Sequence, residues 1–357
     1  MGDTKRRIAV DAMGGDHGPS VVVPGAVAGA RQHHVDLTLV GIPSKIEAAL
    51  KGVDRGDVDI AVVEATEFIG MDEHPAQAVR RKRRNSINLA IQEVSEGRAA
   101  GMVSAGNSGA VMAAALMLVG RIPGIERPAI ATYVPTAKAR SLILDLGAVT
   151  DPKPSNMVQF AQMGQVYAER VLGLSHPTVG LLSNGEEPTK GNQLVQQVYP
   201  MLEAAEDINF AGNVEGKDVA MGAVDIVVTD GFTGNVLLKT AEGVITMLTD
   251  TLRKEFTATL PRKLAALFLR PAFRSMRANL DYSVIGGAPL LGVNGVVIIS
   301  HGRSNELAMA NAIGVAVRSH DHDLAGGIRD RVAIARSTAA TPQESPTPAS
   351  AGLPQAS

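Results

Sequence analysis

Short apolar runs alternate with amphipathic or apolar helical stretches along most of this chain, and that alternation restricts its fold more than any other feature. The runs fall at 7–11, 37–40, 60–63, 101–104, 129–134, 141–145, 179–183, 226–229 and 296–300. The clearest helical stretches between them are 21–32, 87–96, 156–172 and 305–318. Brief continuous apolar runs belong to strands buried on both faces, and the intervening helices supply the cover. The pattern predicts an α/β fold in three layers, α/β/α, around a mostly parallel sheet. In such sheets the ligand lies outside the carboxyl ends of the strands, so the loops after the runs hold the candidate site. A single domain over 1–335 contains all the runs. From 336 to 357 the composition turns to Ala, Thr, Pro, Ser and Gln without periodicity, which predicts a disordered C-terminal tail.

Those loops share a chemistry. In Val227-Val228-Thr229-Asp230-Gly231-Phe232-Thr233-Gly234-Asn235-Val236 an apolar run breaks into small polar residues, and a helical pattern then resumes. Backbone N–H groups gathered at a helix N-terminus, with the helix dipole behind them, suit an anion such as phosphate. Gly231 and Gly234 let the backbone come close, and Thr233 and Asn235 add side-chain hydrogen bonds. Ser104-Ala105-Gly106-Asn107-Ser108-Gly109 repeats the device, although Asn107 and Ser108 equally suit an ordinary helix cap. The first run ends in Asp11-Ala12-Met13-Gly14-Gly15-Asp16-His17-Gly18-Pro19, an acidic glycine-flanked loop that a plain tight turn would also explain. In Ser183-Asn184-Gly185-Glu186-Glu187-Pro188-Thr189-Lys190-Gly191, Lys190 is either aimed at an anionic oxygen or a solvated surface lysine. The segment 285–295, with Gly286, Gly287, Gly292 and Gly295, reads as an apolar glycine loop fit to line an alkyl pocket. His301 follows the last run as a candidate acid or base, or as a structural histidine.

Several classes are excluded or disfavoured. Zero cysteines remove disulfides, thiolate metal sites and a cysteine nucleophile. Aromatic content of 3% without Trp, and a net charge of −2, argue against nucleic acid as a partner. The glycine spacing after the first run is not the dinucleotide fingerprint, and the histidines lack metal-ligand spacing, so no cofactor and no metal are expected. No signal-peptide core follows the charged N-terminus, and the longest apolar run, 110–119, is about half a bilayer span, which predicts a cytoplasmic protein.

Two basic features remain. Arg80-Arg81-Lys82-Arg83-Arg84 is a solvated turn or a dock for an acidic partner. At about 249–281, Leu260, Leu264, Leu267 and Phe268 recur at helical spacing among Arg and Lys, interrupted near Pro261 and Pro271. A protruding amphipathic helical hairpin of this kind fits an anionic membrane surface, with protein packing as the other use of its apolar stripe.

Five collinear segments then carry a resemblance. Val10-Asp11-Ala12-Met13-Gly14-Gly15-Asp16, Ser104-Ala105-Gly106-Asn107, Gly212-Asn213-Val214-Glu215-Gly216, Thr229-Asp230-Gly231-Phe232-Thr233-Gly234-Asn235 and Gly286-Gly287-Ala288-Pro289-Leu290 resemble the signatures of bacterial phosphate acyltransferase of the PlsX type. The resemblance runs from about 7 to 320. It implies a fold related to phosphotransacetylases and the isocitrate dehydrogenase-like group, a homodimer, and peripheral membrane association. It implies transfer of a long-chain acyl group from acyl carrier protein to inorganic phosphate. The acyl phosphate would feed phospholipid synthesis through a membrane glycerol-3-phosphate acyltransferase.

Phosphate is itself the nucleophile in such a reaction, so the protein must hold it, stabilise the oxyanion and release the thiol. On this reading Lys190, Asn235 and the N–H groups near Gly234 hold phosphate or oxyanion, and Asn107 and Ser108 complete the cradle. Asp11, Asp16 and Asp230 orient donors, His17 protonates the thiol, and Gly14, Gly15, Gly231, Thr233 and Gly287 line the substrate site. A short-chain phosphotransacetylase acting on acyl-CoA and a non-catalytic membrane scaffold are the competing readings.

Overall fold

The computed structural model describes residues 6–138, 140–264, 266–270 and 286–340. The strands are β1 (Arg7–Asp11), β2 (Asp36–Gly41), β3 (Ile60–Glu64), β4 (Gly101–Ser104), β5 (Ala129–Pro135), β6 (Arg140–Leu144), β7 (Val179–Leu182), β8 (Phe210–Val214), β9 (Ile226–Val228), β10 (Ala288–Leu291) and β11 (Val297–Ile299). The helices are α1 (Pro19–His33), α2 (Pro43–Leu50), α3 (Pro75–Arg81), α4 (Ser86–Ser95), α5 (Ser108–Leu118), α6 (Pro154–Arg170), α7 (Gln193–Glu203), α8 (Gly216–Met221), α9 (Gly231–Thr257), α10 (Glu306–Asp321) and α11 (Leu324–Ala340).

All these strands join one sheet in the order β3-β2-β1-β4-β11-β10-β5-β6-β9-β7-β8. Neighbours are parallel except around β10, which runs antiparallel to both β11 and β5, and at the antiparallel pair β5–β6. These reversals have a consequence for the site. The carboxyl ends of β1, β4 and β11 point one way, and those of β6, β9, β7 and β8 point the other.

Alternating side chains place helices on both faces. Leu142 and Leu144 of β6 join Phe160 and Tyr167 of α6 in one apolar cluster, whereas Ile143 between them joins Val134 and Val227 in another. Fully burying a side chain such as Phe160 contributes about 1.5–3 kcal/mol. Leu237 and Leu238 seat the start of α9 on that second cluster. At about 1.5 Å per residue, the 27-residue α9 is long enough to cross the sheet and continue beyond it.

Three sequence expectations change. The segment 285–295 is not a loop throughout: Ala288–Leu291 is a strand, with Pro289 opposite Ile298 and Leu290 opposite Ile130. Its glycines and proline mask the local signal, and cross-strand pairing overrides it. Phe210–Val214 is also a strand, and Gly212 and Asn213 had hidden it. The tail expected from 336 begins inside α11, whose Ala-rich end extends the helix to Ala340; residues 341–357 lie outside the described residues. In the expected hairpin, the chain bends at 258–259 and is helical at 260–264 and 266–270, with Pro261 in the first turn where its missing N–H costs nothing. Residues 271–281 of that hairpin lie outside the described residues.

Candidate active site

At the carboxyl ends of β1 and β4, Asp11 is buried and tied in. Its Oδ2 accepts from the Ser104 hydroxyl at 2.7 Å and its Oδ1 from the Met13 N–H at 3.1 Å, while the Gly106 N–H donates to Ser104 Oγ at 3.0 Å. Burial pushes the Asp11 carboxyl above its ordinary value, against hydrogen bonds from Ser86, Ser104 and the backbone. Asp11 therefore joins two strand ends rather than facing a ligand. Gly14 serves the same junction: a Cβ there would lie 2.6 Å from Gly106 N and 2.8 Å from Asp11 Oδ2. Gly15 lies against Ala105 and Gly302, and the Asp16 N–H donates to Gly302 O at 2.8 Å, which ties this loop to the end of β11. The side chains of Asp16 and His17 stand exposed beside that contact.

Asn107 caps α5, accepting from the Ala110 N–H at 3.1 Å. Its amide donates to the carbonyls of Met71 and Glu73, each at 3.2 Å. The side chain is committed to clamping the 70–73 loop, whereas Ser108 beside it is exposed.

The other set of strand ends meets the start of α9. Asp230 caps this helix, accepting from the Thr233 N–H at 2.8 Å and the Thr233 hydroxyl at 2.7 Å. Gly231 and Gly234 are buried because α9 enters against the Asp145 loop; a Cβ on Gly231 would lie 2.7 Å from Asp145 Oδ2, and one on Gly234 would collide with Asp145 O. Asp145 is buried and accepts backbone N–H groups from Ile130, Leu146, Ala148 and Val149. The close approach expected between glycine and anion is thus made, at these positions, by the protein's own backbone and carboxylate.

Asn235 is exposed on α9, and four residues later, on the same helix face, comes Lys239. Lys239 Nζ lies 3.2 Å from His301 Nε2 and 2.9 Å from Glu242 Oε2. The Arg303 N–H donates to His301 Nδ1 at 3.1 Å. A neutral imidazole has one N–H, so with Nδ1 accepting, the ring proton belongs on Nε2, facing the lysine. In that tautomer the Lys239 ammonium and the ring N–H are both donors, so the contact is a close approach rather than a hydrogen bond. Burial, and then the Lys239 charge, push His301 below its ordinary range, with Glu242 and Asp16 opposing. Beside it in sequence, the hydroxyls of Ser300 and Ser304 are buried without a hydrogen-bond partner. Lys239 was absent from the sequence candidates because nothing local marks it; only the i, i+4 relation to Asn235 pointed there.

The remaining candidates are more scattered. Lys190 is exposed in its loop, where Gly191 N–H is held by Asn184 Oδ1 at 2.9 Å. Asn192, which caps α7, and Gln193 and Leu194 of its first turn share a groove of about 550 Å³ with Asp230, Phe232 and Thr233. Nearby, carboxylate oxygens of Glu186, Glu215 and Asp218 lie within 4.8 Å of one another, with Lys217 3.6 Å from Glu186. Gly287 is buried in a tight contact with Ile298. In the basic run, Lys82 bonds Glu73 at 2.6 Å, while Arg80, Arg83 and Arg84 stand exposed. Leu260, Leu264, Leu267 and Phe268 are exposed by 73%, 58%, 61% and 85%, so no described residue covers the stripe.

Residues 6–326 match the family model described as "Fatty acid synthesis protein". The phosphate acyltransferase of Desulfitobacterium hafniense (strain DSM 10664 / DCB-2) is 51% identical over 313 residues, covering 87% of this chain and 92% of that protein. The phosphate acyltransferase of Heliobacterium modesticaldum is 48% identical over 327 residues, covering 91% and 97%. Among solved structures, a phosphotransacetylase from Streptococcus pyogenes superposes with a TM-score of 0.60 at 18% identity, covering 88% and 94% of the two chains. A branched-chain phosphotransacylase from Enterococcus faecalis V583 gives 0.51 at 15% identity, covering 87% and 98%. At those identities the two structures bear on the fold alone, which is the α/β architecture the alternating runs predict.

Proposed function

Because this chain belongs to the fatty acid synthesis protein family of phosphate acyltransferases, acyl transfer to phosphate is its reaction, and we propose that the donor is a long-chain acyl group on acyl carrier protein. The product, an acyl phosphate, then serves phospholipid synthesis through a membrane glycerol-3-phosphate acyltransferase. The observation that carries the site assignment is the Lys239–His301 contact in line with Asn235 on α9. Phosphate brings its own nucleophilic oxygen, so attack on the thioester carbonyl needs no acyl-enzyme.

Asn235 and Lys239 hold phosphate and steady the tetrahedral oxyanion, with the exposed Ser108 hydroxyl as a further donor. Lys190 extends the cationic lining from its loop. His17 gives the departing thiolate its proton, and His301, held toward its neutral form, contributes its ring N–H as a hydrogen-bond donor. Asp16, Asp230 and Thr233 orient these donors, and Gly287 belongs to the acyl side. Arg80, Arg83 and Arg84 offer an exposed basic rim to an acidic carrier protein. No helix among the described residues is long and apolar enough to cross a membrane. We assign the exposed leucines and Phe268 to a peripheral membrane contact, with a homodimer formed at the base of the same helices.

Incubating the purified protein with palmitoyl-ACP and radiolabelled phosphate, and trapping with hydroxylamine, tests the donor. Palmitoyl hydroxamate forming only with phosphate present is the expected result. Turnover of acetyl-CoA with none of palmitoyl-ACP would move the chain to the short-chain reading.

A further inference from the structure

A cavity of about 600 Å³ opens between β5, β6, the end of α6 and α10. That volume lies within the roughly 300–1,000 Å³ typical of small-molecule sites. It stands on the α6 face of the sheet: Ala131 and Leu142 line it and belong to the Phe160 cluster. Leu237 and Leu238 seat α9 against Val134 and Ile143, the neighbouring residues of opposite orientation. Lys239 and the cavity are therefore on opposite faces, and of the residues assigned to the substrate site Gly287 alone lines the cavity.

Its chemistry is divided. Leu142, Leu172, Leu174, Pro289 and Val315 make the walls apolar. The charged residues that line it, Lys138, Arg140 and Arg318, are all cationic and exposed. No salt bridge engages any of the three among the described residues. Inside, the Tyr133 hydroxyl is buried next to the Tyr167 phenol, with no hydrogen bond of normal geometry between them. Burial, and then the neighbouring Tyr167, push its ionisation far upward against the charges of Arg318 and Arg140, so the phenol stays a donor at neutral pH. A ligand oxygen would give that hydroxyl a well-aligned acceptor. Cations and a phenolic donor at one end call for an anion; apolar walls call for an alkyl body.

We propose that this cavity binds a single-chain anionic amphiphile, an alkyl carboxylate or alkyl phosphate. Its head sits among Arg140, Arg318 and Tyr133, and its chain runs along Leu142, Leu172 and Val315. The inference does not depend on the acyl donor.

Titration calorimetry on the full chain tests it, with dodecanoate, dodecyl phosphate, dodecanol and inorganic phosphate as separate probes below any micelle-forming concentration. One or both alkyl anions should bind, the tighter one identifying the head group, with dodecanol and inorganic phosphate at least about tenfold weaker. Arg318→Ala should weaken binding by a similar factor. Tyr133→Phe, which keeps the ring and hence the packing, should weaken it several-fold. Lys239→Ala should leave it unchanged. Absence of binding by both alkyl anions would overturn the proposal. So would dodecanol or bare phosphate binding as tightly as the alkyl anions, or a loss that follows Lys239→Ala instead of Arg318→Ala.

Discussion

The Lys239 ammonium stands 3.2 Å from the His301 ring, close enough for its charge to act directly on the imidazole. The Lys239 charge disfavours imidazolium, and the backbone N–H of Arg303 orients the ring. Replacing Lys239 with Met removes one cationic donor from the proposed oxyanion site, and kcat/KM should fall about 100- to 1000-fold, some 3–4 kcal/mol. The same change removes a cation that holds His301 down, so the His301 limb of the pH–rate profile should move to higher pH. Steady-state rates across pH 5–9 read both effects, and near-wild-type turnover by a folded variant would refute the assignment. Asn235 was legible in the sequence because it sits in a polar glycine-rich turn. Lys239 was not, because a lysine inside a helical pattern looks like any solvated lysine until the fold brings His301 to it.

At the scale of elements, helix α9 does two jobs along its length. Its first turn is capped by Asp230 and packed by Gly231 and Gly234 against the Asp145 loop. Such a cap contributes about 0.5–2 kcal/mol, and it explains why small residues follow the strand. Beyond the sheet the chain turns at 258–259 into helical segments whose Leu264 and Leu267 are exposed. Leu264→Glu with Leu267→Glu should abolish sedimentation with anionic vesicles. Because neither side chain is buried, the unfolding midpoint should shift little, within about 0.5 kcal/mol. Vesicle binding that survives both charges would return the stripe to protein packing. The apolar periodicity of this segment was plain in the sequence, whereas β10 was hidden by Gly286, Gly287 and Pro289.

For the whole molecule, the Asp145 junction connects the middle of the sheet to α9. Burial pushes its carboxyl from 3.8 up to about 6, despite four backbone N–H partners. The native state then holds the proton more tightly than the unfolded chain between those values. The contribution is full below about pH 4 and is lost as pH rises through about 6, an effect of at most ~3 kcal/mol. Asp145→Asn should flatten the pH 4–7 dependence of global unfolding; an unchanged slope in chemical denaturation would assign it to other groups. By itself the sequence determined the three-layer α/β class, the polar strand ends, the basic amphipathic segment and the phosphate chemistry. Each of those is written locally, in period, glycine and charge. Only the tertiary structure decided the reversal of strand direction at β10 and β5–β6, the meeting of Lys239 with His301, and the cationic cavity around Tyr133. Those depend on which distant segments pair in the sheet and which face each helix covers, and long-range pairing leaves no mark in any single stretch of chain.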